Sequence, residues 1–148
     1  MTSWHGKAAL ALRLALGAVF LYAAWTKLRQ PWALFALSID AYGLLPEPAV
    51  IAVARVLPWA ELLLGGLLVS GRLLRWSAGA ASALLVFFFA VMLRSYFKGL
   101  QIDCGCFGVG EALSWRTLAR DAGLLSASLV LTLLAFRRPL PATGGGTG

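Results

Sequence analysis

Charge is what this sequence has least of. Only 13% of its 148 residues are Asp, Glu, Lys or Arg, where a soluble domain carries about 25%. Acidic residues number six. A chain this short has too high a surface-to-volume ratio to hide a 60% hydrophobic composition inside a water-surrounded core. Lipid must be part of its solvent. Histidine is almost absent too, with only His5, far from both cysteines. That argues against zinc, which wants four ligands, usually thiolate and imidazole. Cysteine stops at two, so the chain cannot pass electrons between two disulfides of its own. No internal repeat is visible at a recognisable period.

The apolar residues that remain fall into four runs, each near the roughly 20 residues that span a hydrocarbon core. They cover about Ala8–Leu28, Pro48–Gly71, Leu73–Phe97 and Thr117–Phe136. The expected fold is therefore all-α, a bundle of four transmembrane helices over residues 1–138. The tail after Pro139 is glycine-rich and is expected to be flexible. A cleaved signal peptide is the rival reading of the N-terminus. Tyr22-Ala23-Ala24-Trp25 makes a poor cleavage site, and no clean apolar run follows Lys7. The connections are expected to be a medium loop from Arg29 to Glu47, a tight turn at Ser70-Gly71-Arg72 and a glycine-rich loop from Lys98 to Trp115.

The formal charge of +7 would suggest nucleic acid in a soluble protein. Here the basic residues are scattered between apolar runs without a clustered face, and no nucleic-acid partner is expected. They read as membrane-flanking anchors. With four spans, both termini share a side with Lys7, Arg72, Arg75, Arg137 and Arg138. The opposite side holds Lys27, Arg29, Arg94, Lys98 and Arg116. The counts nearly tie. The tail arginines and the basic turn favour cytoplasmic termini in a cell (inner) membrane, with the cysteine loop facing the periplasm or exterior.

Cys104 and Cys106 sit in Ile102-Asp103-Cys104-Gly105-Cys106-Phe107-Gly108. A disulfide across one residue needs the α-carbons within about 4.4–6.8 Å, and Gly105 permits the backbone bend. Such a ring would be strained, and strained disulfides are the labile, catalytic kind. A static staple, a pair of inert thiols and a metal site are the competing readings. Basic residues on the same side would favour thiolate; Asp103 works against it.

Charge inside the spans forms a second constellation. An ionisable residue at mid-bilayer is costly and reads as functional by default. Glu61 lies near the middle of the second span. It is expected to face the stripe of Arg13, Gly17, Phe20, Ala24 and Lys27, or Arg120 of the last span. Glu61, Arg13, Lys27, Arg94 and Arg120 thus form a candidate intramembrane charge site, for an ion pair or a quinone. A packing ion pair is the plainer alternative. Lys27, Arg94, Lys98 and Arg116 lie near span ends, where long side chains snorkel to the interface. Trp25, Trp59, Phe87, Phe88 and Phe89 are candidates to wall a quinone.

The order of these features resembles the methylamine-utilisation MauE family, within the broader DoxX-like membrane proteins. The resemblance is carried by Arg13, Gly17, Trp25-Thr26-Lys27-Leu28, Pro31 and Tyr42. It continues through Leu57-Pro58-Trp59-Ala60-Glu61-Leu62-Leu63-Leu64-Gly65, Arg94, Cys104-Gly105-Cys106-Phe107-Gly108 and Arg120-Asp121. It implies a four-helix redox-associated membrane protein. The role implied is maturation of disulfide-rich periplasmic proteins, such as the small subunit of methylamine dehydrogenase, beside a thioredoxin-like partner. Cys104 and Cys106 would alternate between dithiol and disulfide as catalytic residues, with a quinone or another protein taking the electrons. Two alternatives stand beside this. One is a DoxX-like, quinone-linked oxidoreductase subunit acting on small sulfur compounds; the other is a non-enzymatic membrane assembly factor.

Overall fold

A computed structural model describes residues 2–105 and 108–137. Along the chain run α1 (Thr2–Arg29), α2 (Trp32–Asp40), α3 (Glu47–Ser70), α4 (Leu74–Phe97), β1 (Asp103–Gly105), β2 (Gly108–Ala112) and α5 (Trp115–Arg137). The four long helices are each long and apolar enough to cross a bilayer, and the protein is a multi-pass membrane protein. Its outer surface is what lipid requires. Trp76 and Phe97 are each 79% exposed, and Leu37, Val56 and Leu73 also point outward.

Between the spans the structure departs from the expected loops in two places. The segment after Arg29 is not a plain loop, because Trp32–Asp40 forms a fifth, short helix started by Pro31. A nine-residue helix is marginal alone. It is held by burying Phe35 and Ser38, with Phe35 against Ala54 and Leu57 of α3. The glycine-rich segment is likewise partly ordered, as an antiparallel hairpin pairing Asp103 with Ala112 and Gly105 with Gly108. The Leu113 amide donates to the Ile102 carbonyl at 2.9 Å and extends the ladder. Both hairpin strands pack against α2. The proposed flexible tail lies outside the described residues.

Local chemistry explains the ends. The α3 helix begins after Pro46 and stops at Gly71, whose left-handed φ of 73° lets its amide bond back to the Leu67 carbonyl at 2.9 Å. Pro58 lies inside α3, where it lacks an amide proton and its ring crowds the carbonyl four residues back.

The bundle is tightest where α1 meets α3. A Cβ on Gly17 would lie 2.6 Å from Val69 Cγ2, and one on Gly65 would lie 3.0 Å from the Gly17 carbonyl. Small residues admit such close backbone approach, and in lipid that contact is the main source of helix association. The α4–α5 seam uses Ala78 and Ala81 with a polar cluster. There Ser82 Oγ donates to Ser128 Oγ at 3.1 Å and lies 2.9 Å from Thr132 Oγ1.

Candidate functional site

The centre of the bundle holds a buried ion pair. Lys27 Nζ donates to Glu61 Oε1 at 2.9 Å and to Oε2 at 2.8 Å, and both residues are buried. The ammonium also lies 5.4 Å from the centroid of the Phe35 ring. This corrects the reading of Lys27 as a snorkelling anchor. Helical side chains lean toward their own N-terminus, and α1 and α3 run in opposite directions. Lys27 therefore leans inward while Glu61 leans outward, and the two converge. Of the partners expected for Glu61, the structure brings it Lys27.

The remaining charged candidates are dispersed. Arg120 donates to its neighbour Asp121, Nε to Oδ1 at 3.2 Å. Arg13 sits against Gly71 near the opposite end of the bundle, with its Nε buried. Arg94 is exposed in the last turn of α4. The five residues thus do not form one site. What sequence reasoning missed is Asp121 as a wall residue. It is buried, and it joins Lys27 and Glu61 around a cavity of about 50 Å³ closed by Phe20, Phe88 and Phe89. That is room for water, in contact with two carboxylates and one ammonium. Among the described residues, no cluster of three metal-ligating side chains occurs.

A second cavity, of about 230 Å³, lies under α2. It is almost wholly apolar, bounded by Phe35, Ser38 and Tyr42 on one side and Phe87, Phe88 and Val91 of α4 on the other. The aromatics grouped in the sequence reading are therefore separated. Phe88 touches both cavities, whereas Trp25 is exposed on the bundle surface and Trp59 lines a different groove.

Cys104 is the middle residue of β1. Cys106 lies outside the described residues. The cysteine segment thus sits at the end of the bundle where α1 and α4 finish and α2 lies.

Comparison with known proteins follows the same span. The chain matches the family described as "Methylamine utilisation protein MauE" over residues 6–134. It is 36% identical over 142 residues to the methylamine utilization protein MauE of Paracoccus denitrificans, covering 93% of this chain and 76% of that one. Identity to the protein of the same name from Paracoccus versutus is 40% over 133 residues, covering 87% and 71%. For Methylorubrum extorquens the figures are 35% over 115 residues, 76% and 61%. No solved structure matches the chain.

Proposed function

The chain belongs to the methylamine utilisation protein MauE family, and from that footing we propose that it is a membrane thiol–disulfide protein acting through Cys104 and Cys106. The reading rests most directly on Cys104-Gly105-Cys106. Cys104 lies in β1 of a hairpin docked on α2. In the exchange, a thiolate of one cysteine attacks a disulfide of the partner, and a mixed disulfide forms. The second cysteine then displaces it, leaving the partner as dithiol and this chain as disulfide. The reverse sequence oxidises the partner.

The partner suited to this step is a thioredoxin-like periplasmic protein. The process served is maturation of disulfide-rich proteins such as the methylamine dehydrogenase small subunit. The membrane is the cell (inner) membrane, with the hairpin outside, because a persistent disulfide needs an oxidising compartment. In the direction that oxidises the partner, this chain ends as the dithiol, and turnover then requires an outside acceptor, since dithiol to disulfide releases two electrons and two protons. A membrane quinone, reduced to quinol, balances that step. The apolar cavity under α2 supports this, being at the hairpin end and walled by Phe35, Phe87 and Phe88.

The test is thiol trapping in intact cells of a strain that depends on this gene for growth on methylamine. Cys104→Ser and Cys106→Ser should each abolish growth while the protein stays at normal abundance in the membrane. One of them should accumulate a mixed disulfide, its resolving thiol being absent. Full growth with both variants would defeat the redox reading and leave an assembly factor. Loss of the protein itself from the membrane would make the cysteines structural.

A further inference from the structure

Arg55 is a cation that the bundle leaves unneutralised. It lies eight residues after Glu47, about 12 Å along the axis of α3, so its backbone is within the span. Among the described residues no carboxylate comes within ion-pair distance of it. The nearest carboxylate along α3 toward the bundle centre, Glu61, is held by Lys27. An arginine at such depth is costly without a counter-charge.

Its surroundings are built for an anion that arrives from the bilayer. Arg55 lies over the Trp32 ring, with its guanidinium carbon 4.4 Å from the ring centroid. A guanidinium over an indole face can present its N–H fork to a phosphate, which it recognises bidentately. The two residues line a lateral groove of about 460 Å³ where α1, α2 and α3 meet, together with Gln30, Pro58 and Trp59. Trp32 and Trp59 are 44% and 61% exposed, so the groove opens on the outer surface of the bundle. Lys27 reaches the groove too but is neutralised by Glu61, so the local charge is that of Arg55 alone. Because helical side chains lean toward the N-terminus, the guanidinium points back toward the near interface. There the anion in excess is the phosphodiester of a phospholipid.

We propose that this groove is a phospholipid site, with the phosphodiester on the Arg55 fork, the glycerol end against Gln30 and Trp59, and acyl chains following the α3 surface. This is independent of the thiol chemistry.

The experiment is native mass spectrometry of the full chain, released from detergent after partial delipidation and then titrated with phosphatidylglycerol. The wild type should retain one tightly held lipid. Arg55→Gln should weaken that binding about tenfold, in line with the loss of a charge-assisted bidentate contact. Arg55→Lys keeps the charge and loses fork and stacking, and should fall between. Arg116→Gln, an exposed cation at the same end, should bind as the wild type does. Circular dichroism verifies that each variant keeps its helices. Equal retention by Arg55→Gln and wild type would overturn the proposal. So would displacement of the lipid by millimolar inorganic phosphate, which would make the site one for a free anion.

Discussion

Lys27 and Glu61 stand 34 residues apart in sequence, yet the ammonium of one bridges both carboxylate oxygens of the other, at 2.9 and 2.8 Å, inside the bundle. Both charges are satisfied in this pair, and α1 is tied to α3 above their closest contact at Gly17 and Gly65.

Breaking one side of the pair should be severe. Removing a single partner of a buried pair costs about 3–5 kcal/mol, because the other charge stays buried. Glu61→Leu and Lys27→Met should each lower the thermal midpoint of the purified protein and its abundance in the membrane. Glu61→Gln should be milder, since the amide can still accept from Lys27. The double variant Lys27→Met/Glu61→Leu should recover much of the loss. A double variant as unstable as the sum of the singles would show that the two do not act as a pair.

The α1–α3 contact predicts a steric effect. Gly17→Ala places its methyl 2.6 Å from Val69 Cγ2, an overlap that should cost about 1–3 kcal/mol. Val69→Ala in the same chain should relieve most of it. Gly66→Ala, one position past the contact and with nothing within 4 Å of its added carbon, should be silent in the same unfolding assay.

The seam between α4 and α5 should respond weakly to loss of polarity. Ser82→Ala removes the bonds to Ser128 and Thr132, and interhelical hydrogen bonds in membranes average about 0.6 kcal/mol. Ser82→Leu must instead force the helices apart and should be much worse. Equal effects of Ala and Leu would mean that the seam is not tightly packed.

For topology, a reporter fused after Arg138 should be active in the cytoplasm, and one inserted after Gly108 should be active outside. The reverse pattern would put Cys104 and Cys106 in a reducing compartment, where the disulfide would not persist.

The four spans were legible because runs such as Leu73–Phe97 carry so little charge that no other element fits them. The α2 helix was not. Its nine residues lie between Pro31 and Gly43, read as a loop, and become helical by burying Phe35 on α3. The hairpin was hidden for a similar reason, since glycines signal a turn without saying that its arms pair. Glu61 announced itself by depth alone. Its partner was narrowed only to a stripe that includes Lys27, or to Arg120, because Lys27 lies near a helix end, and whether such a lysine reaches outward or inward depends on the register of α1 against α3. Arg55 over Trp32 was illegible without α2, which brings the indole there.

The order of the ion pair along the chain bears on how the protein is made. A charged residue at the centre of a helix costs about 2.5–3.5 kcal/mol when that helix enters the bilayer from the insertion machinery. Besides Glu47 in its first turn, the α3 helix carries two charged residues within the span, Arg55 and Glu61, so it is a poor candidate to enter alone. Its counter-charge sits on α1, which leaves the ribosome first and can wait in the membrane. Helix three is then received by a neighbour already holding the complementary ammonium. Exchanging the lysine and the glutamate would keep the finished contact but deliver the acid first, and the nascent chain would feel that difference even if the folded bundle did not.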